Sequence, residues 1–273
     1  KINCWDENEK KREKLKKKYK KIEFVRPIKN NLKQYNNIYL TPGISIFKNK
    51  FKKLYKNNLL KRDLNLYYEN ISNQKIVAIT GTNGKSTTTK LIGNILKKNY
   101  QNTFVGGNLG KPLCDSLLSR NYLKYHVIEL SSFQLELIKN FNPKISIILN
   151  LSNDHMDRYK NINDYIKQKK NILNSKGNGF NLISLDDKYS LKLIKDKKIK
   201  NKIIFSINNK KADIYINDHH IFDNYFFSKK KIEIGQISND LKYKFNLQNI
   251  LVAYITCKIL NISINKFKFA VRN

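Results

Sequence analysis

An uninterrupted apolar run, Ile76-Val77-Ala78-Ile79, passes directly into the glycine-containing segment Thr80-Gly81-Thr82-Asn83-Gly84-Lys85-Ser86-Thr87. From Lys85 to Lys97 the chain then places Leu91, Ile92, Ile95 and Leu96 on one helical face. An apolar run without polar alternation is what a strand covered on both faces requires, and such strands belong to parallel sheets flanked by helices. Val127-Ile128 and Ile145-Ser146-Ile147-Ile148-Leu149 repeat the pattern, with a helix expected between them from Phe133 to Lys139. Asn181 to Leu185 and Lys202 to Phe205 add two further strands, and Ala212 to Ile237 alternates like an antiparallel edge. Asn246 to Leu260 reads as an amphipathic helix. The fold class is therefore α/β, a doubly wound and mostly parallel sheet.

The same segment carries the first chemical inference. Glycines let backbone amides approach phosphate oxygens, and the following helix adds the positive end of its dipole. Lys85 would reach the β and γ phosphates of a nucleoside triphosphate, and the Ser86 hydroxyl would ligate Mg2+. Only two residues separate Gly81 from Gly84, so the loop is shorter than the standard Walker pattern. An ordinary strand-to-helix turn would have no use for Gly-Lys-Ser-Thr, and ATP or GTP binding follows.

The balance of the composition narrows the class. Lys+Arg 54 against Asp+Glu 21 gives a formal charge of +33 in 273 residues. Arg12, Arg26, Arg62, Arg120, Arg158 and Arg272 are the only arginines, so the charge is nearly all lysine. Lysine holds a phosphate as a point charge and lacks the fork that reads bases, so no specific nucleic acid is expected. Richness in Lys, Asn, Ile and Tyr fits codon bias in an AT-rich genome. Hydrophobic residues at 40% suffice for a core. No apolar stretch approaches the roughly 18 residues of a spanning helix, and the N-terminus has no apolar signal core. Cys4, Cys114 and Cys257 are odd in number and far apart, which fits neither a disulfide framework nor a zinc site. A cytoplasmic chain with no membrane partner is expected.

Several stretches together resemble one family. Gly81 to Thr87 is similar to the shortened phosphate loop of the Mur ligases and folylpolyglutamate synthetases, which form amide bonds with ATP. Gly106-Gly107-Asn108-Leu109-Gly110, Glu129-Leu130-Ser131-Ser132-Phe133-Gln134-Leu135-Glu136 and Asn153-Asp154-His155-Met156-Asp157-Arg158-Tyr159 resemble segments of the D-glutamate-adding branch of the Mur ligases. The resemblance is densest from Ile76 to Ile172. It implies a partial Rossmann-like uridine-binding domain over 1–72, a central ATP-binding domain over 73–273 and a monomer. The implied partners are ATP, UDP-N-acetylmuramoyl-L-alanine and D-glutamate.

The resemblance also implies roles. Gly81, Thr82, Asn83, Gly84, Lys85, Ser86 and Thr87 would hold the phosphates, and Asn246 and Asn249 the adenine. Phe245 and Tyr243 stand where the family has His and Gly. Ser86 and Glu129 would share a first Mg2+, since hard oxygen donors suit it. His155 would belong to a second Mg2+ site, although imidazole is an unusual ligand for that ion; on its residues alone it reads as a loop histidine held by Asp154 and Asp157. The pattern Tyr-x-x-x-Lys-x-x-Ile falls on Tyr165, Lys169 and Ile172. It implies a carbamylated lysine at Lys169 rather than Lys170, which requires a neutral amine. Read without the family, Lys167, Lys169 and Lys170 are solvated helix residues. Asp6 and Thr41, in Thr41-Pro42-Gly43, would lie at the uracil, and Asn108, Ser131 and Gln134 at the substrate. His219 and His220 read as an exposed turn pair without a role.

The family's N-terminal glycine-rich turn would precede Lys1, and its C-terminal domain would follow Asn273. On that reading the chain binds Mg-ATP without making the amide bond. The alternative is a non-catalytic basic module, binding nucleotide or nucleic acid, derived from a ligase.

Overall fold

Along Lys75–Thr80 (β5) every residue after Lys75 is buried, and consecutive side chains enter different cores. Val77 and Ile79 pack with Leu91, Ile92 and Ile250 on one face, while Ile76 and Ala78 pack with Leu64, Leu135 and Ile166 on the other. A strand sandwiched in this way has no solvent face to mark with polar residues, which accounts for the unbroken apolar run. Each buried Val or Ile of the strand contributes roughly 1.5–3 kcal/mol through burial.

The computed structural model describes residues 2–28, 31–47, 51, 54–55, 57–217, 219–226 and 230–272. Its contacts group into two units, Lys1–Leu40 with Ile44–Lys61, and Thr41–Gly43 with Arg62–Asn273. In the smaller unit, β1 (Asn3–Cys4) pairs in parallel with β2 (Glu23–Phe24). The intervening helix α1 (Glu9–Lys18) is capped by Asn8 and buries no residue. A second parallel pair joins β3 (Ile38–Tyr39) to β4 (Leu60–Lys61).

The larger unit opens with helix α2 (Asp63–Glu69) and is organised by a nine-stranded sheet. Its strands after β5 are β6 (Thr103–Gly107), β7 (Tyr125–Glu129), β8 (Ile145–Ile148), β9 (Phe180–Ser184), β10 (Lys202–Ile207), β11 (Ile214–Asn217), β12 (His220–Asp223) and β13 (Lys230–Glu233). The spatial order is β13-β12-β11-β10-β9-β8-β5-β7-β6. Pairing is parallel from β6 to β11 and antiparallel from β11 to β13. The antiparallel edge falls within the stretch whose alternation predicts it.

Helices α3 (Lys85–Asn99), α6 (Leu247–Ile259) and α7 (Ile264–Arg272) pack together, and α4 (Ile162–Lys170) and α5 (Ser190–Lys195) complete the unit. One expected helix is much shorter. Phe133 to Lys139 holds only a single 3-10 turn at Gln134–Glu136, where the Gln134 and Glu136 side chains make tertiary hydrogen bonds. No helix among the described residues is long and apolar enough to cross a membrane, and Cys4, Cys114 and Cys257 are free thiols.

Candidate functional site

Chain order reverses at β5: β7 lies on one side of it and β8 on the other. In an open parallel sheet such a reversal leaves a crevice at the carboxyl ends of the strands. The loop Thr80 to Thr87 rises from that edge, and the turn after β8 braces it. The Thr82 amide donates to the Asn150 carbonyl (2.9 Å) and the Asn83 amide to Asn150 Oδ1 (2.8 Å). Asn150 Nδ2 donates in turn to the Asn83 carbonyl (3.2 Å) and to Gln248 Oε1 (2.9 Å).

Gly84 begins helix α3 with φ +80°, and no side chain caps the helix. The first amides of α3 are thus left for a ligand. A Cβ at Gly84 would sit 2.7 Å from Asn249 Oδ1. That oxygen also accepts from Thr88 Oγ1 (2.9 Å), and Asn249 Nδ2 donates to Asn246 Oδ1 (2.9 Å). Asn246 and Asn249 are both buried, and these bonds tie α6 to the phosphate loop.

Ser86 and Thr87 are exposed at the helix start, while Lys85 is half-buried. Lys85 Nζ folds back onto the carbonyls of Gly81 and Thr82, both at 2.9 Å. Desolvation lowers its pKa, opposed by the charges of Glu129 and Asp154. Glu129 ends β7, is buried, and accepts from Asn108 Nδ2 at 3.0 Å. Asn108 is itself held by its amide on the Glu129 carbonyl, 2.9 Å. The turn needs Gly107 (φ +124°), where a Cβ would collide with that same carbonyl.

Lys169 and Lys170 show how helix phase separates neighbours. Lys170 Nζ pairs with Asp196 at 2.6 Å and is half-exposed. Lys169 is 2% exposed, and its Nζ donates to Gly81 O (2.8 Å) and Thr80 Oγ1 (3.2 Å) above the Tyr165 ring. Burial, followed by repulsion from Lys85, pulls its pKa down to about 7, against the attraction of Asp154 and Glu129. Lys85, Glu129, Asp154 and Lys169 therefore form one electrostatic cluster.

Other expected residues occupy distinct settings. His155 sits in the left-handed region (φ +55°), its Nε2 3.5 Å from Asp154 Oδ2 and its ring 4.7 Å from that of Phe133. Ser131 donates its amide (3.1 Å) and hydroxyl (3.2 Å) to Gln134 Oε1, and Gln134 Nε2 donates to Asp63 Oδ2 (2.7 Å). The Thr41 carbonyl accepts from Arg62. Within the smaller unit, Asp6 accepts from the Asn8 amide at 2.8 Å. His219 lies in a turn and is exposed, whereas His220 begins β12 and is half-buried.

Asn150 and Gln248 join the site without having been singled out in the sequence, and Asp154, read there only as a neighbour of His155, joins the electrostatic cluster. Asn150 had a signal, because it follows a buried strand at the sheet edge just as the phosphate loop does.

Among the described residues no three His, Cys, Asp or Glu side chains converge to hold a metal. A divalent ion here must draw on hydroxyl, nucleotide or lysine-derived oxygens. Exposed Ser86 and the Glu129 carboxylate fit a hard cation completed by phosphate oxygens and water. His155 and an unmodified Lys169 do not form a second cation site by themselves, since an ammonium repels the ion.

Residues 79–257 match the family model described as the Mur ligase middle domain. The chain is 36% identical over 238 residues to the UDP-N-acetylmuramoylalanine–D-glutamate ligase of Rickettsia prowazekii, covering 85% of this chain and 52% of the relative. It is 34% identical over 272 residues to the ligase of that name from Rickettsia bellii, covering 96% and 58%. The chain thus spans about half the length of the curated relatives it matches. Among solved structures, a UDP-N-acetylmuramate:L-alanyl-gamma-D-glutamyl-meso-diaminopimelate ligase from Neisseria meningitides superposes with TM-score 0.59 at 15% identity, covering 100% of this chain and 90% of that one. The MurF ligase of Thermotoga maritima, solved with ADP, gives 0.56 at 20% identity, covering 82% and 52%. At these identities the structures speak to fold alone.

Proposed function

Because the chain belongs to the Mur ligase family, we propose that it supplies the ATP-handling part of an enzyme joining D-glutamate to UDP-N-acetylmuramoyl-L-alanine. The observation that carries this reading is the coupled cluster of Lys85, Glu129 and Lys169 behind a phosphate loop at the switch point of the sheet. The choice of D-glutamate rests on the stretches Glu129 to Glu136 and Asn153 to Tyr159 and on the relatives' names.

The substrate carboxylate attacks the γ-phosphorus, the bond to the β-phosphate oxygen breaks, and ADP leaves behind an acyl phosphate. The D-glutamate amine then attacks the acyl carbon, loses a proton and displaces phosphate. Neither step needs a protein nucleophile; orientation and charge neutralisation supply the rate. Lys85 leaves the carbonyls of Gly81 and Thr82 to meet the β and γ phosphates. The α3 amides and the Gly81–Thr87 backbone hold the phosphate chain, and Ser86 and Glu129 would hold Mg2+. The ion, when bound, neutralises charge on the transferring phosphoryl group.

Asn246 and Asn249 shape the adenine end. Asn108, Ser131 and Gln134 orient the muramoyl substrate, and the Thr41 turn serves uracil recognition. The low pKa of Lys169 leaves about half of its amine neutral near pH 7. A neutral amine can add CO2 and release a proton, and the resulting carbamate would join His155 at a second Mg2+.

The test begins with calorimetry of Mg-ATP and UDP-N-acetylmuramoyl-L-alanine binding. It continues with product mass from the gene product carrying this chain, using substrate 18O-labelled in its carboxylate. Binding of both ligands, a glutamyl product and 18O in the released phosphate are expected. Salt-sensitive affinity for DNA or RNA with no ATP binding would overturn the reading.

A further inference from the structure

Glu136 lies outside the phosphate-loop cluster, and its side chain is fully buried. Its carboxylate accepts from Arg62 Nη2 (2.5 Å), from Arg158 Nε and Nη2 (both 2.8 Å) and from the Tyr159 hydroxyl (3.1 Å). Both guanidiniums also donate to a single turn: Arg62 Nη1 to the Thr41 carbonyl (2.5 Å) and Arg158 Nη1 to the Gly43 carbonyl (3.1 Å). On its other side, Arg158 stacks 4.2 Å from the Phe133 ring, which packs on His155. The amides of Arg158 and Tyr159 donate to the His155 carbonyl at 3.0 and 3.1 Å, holding that residue in its left-handed conformation.

Two cations sharing one carboxylate are a poor means of gaining stability, since well-packed apolar side chains would do as well or better. Forked donors do fix geometry, and here they fix two segments together. We propose that Glu136 is a positioning residue: through Arg62 and Arg158 it locks the Thr41–Gly43 turn and the His155 loop into the one arrangement that binds the nucleotide sugar. Glu136 itself touches no substrate. The proposal rests on the ligase reading above.

Calorimetry on the folded protein, run well below each variant's melting temperature, separates the outcomes. Glu136→Gln should weaken UDP-N-acetylmuramoyl-L-alanine at least tenfold while Mg-ATP affinity stays within twofold, because the phosphate loop is braced by Asn150 and Asn249. Arg158→Lys keeps the charge, loses the fork and should fall between wild type and Glu136→Gln; it carries the test alone if Glu136→Gln does not fold. Nucleotide-sugar affinity within twofold of wild type in the variants would overturn the proposal. So would parallel loss of both ligands in step with melting temperature, which marks a packing role. Wild-type protein that binds Mg-ATP but no nucleotide sugar would instead sink the ligase reading, and the proposal with it.

Discussion

Two places in the larger unit bury cations, and they treat them in opposite ways. Around Glu136, the guanidiniums of Arg62 and Arg158 share one buried carboxylate at 2.5 and 2.8 Å. Under the phosphate loop, Lys169 has only a hydroxyl and a carbonyl to donate to, and its pKa falls to about 7. Burial alone does not decide whether a cation is architecture or chemistry. A partner carboxylate makes it a fastener, and without one burial pulls the amine's pKa down to about 7.

The sharpest attempt to break that contrast removes one member from each place. Glu136→Ala leaves two guanidiniums uncompensated and should cost about 3–5 kcal/mol in urea unfolding. Lys169→Met removes a group whose charged form is penalised by burial and should be neutral or stabilising. The wild type should also gain stability as pH rises from about 7 toward 10. Over that window the unfolded lysine keeps the proton that the folded one has released, so the unfolded state binds more protons. Below about 7 both states are protonated and the burial penalty is fully present. Subtracting the Lys169→Met profile isolates this slope, and identical profiles would mean that Lys169 titrates normally.

Lys85→Ala extends the comparison to a half-buried lysine that the proposed function assigns to the nucleotide phosphates. Mg-ATP affinity should fall at least about 100-fold, close to 3 kcal/mol, with an unchanged circular-dichroism spectrum. Unaltered affinity would remove the phosphate-loop assignment. Gly84→Ala should cost about 1–2 kcal/mol of stability through its positive φ and push Asn249 off Thr88, with weaker ATP binding as the second readout. Asn150→Ala should have the smallest effect, a loss of a few-fold in ATP affinity worth about 1 kcal/mol. It removes a brace from the loop without removing a ligand contact.

How much of this was legible depended on whether a residue's role is local. The phosphate loop is a contiguous strand–turn–helix, so Gly81 to Thr87 declared both its fold and its chemistry. Parallel strands announced themselves through unbroken apolar runs, and the alternation of Ala212 to Ile237 marked the antiparallel edge. Thr103–Gly107 did not, because its final glycines look like a turn and are required by the close approach of Glu129. The choice of Lys169 over Lys170 came from the family pattern alone; without it the lysines of this helix read as solvated, and the burial of Lys169 depends on packing that no local pattern shows. The Glu136 cluster was invisible: Arg62, Glu136 and Arg158 come from three separated segments, and nothing local distinguishes a buried guanidinium from a solvated one.

The contact between Asn249 and Thr88 joins residues 161 positions apart, which places a clock on the phosphate loop. At ribosomal rates of roughly 5–20 residues per second, about 8–30 s separate the emergence of the two residues. During that interval the loop exists without the helix that holds Asn249. The strand beneath it can already pair with β8, yet Gly84 lacks its neighbour and α3 lacks the apolar surface of α6. On the proposed function, nucleotide binding is therefore a late event in the birth of this molecule. A chain released before residue 249 would carry the whole Gly81–Thr87 motif and still be a poor ATP binder.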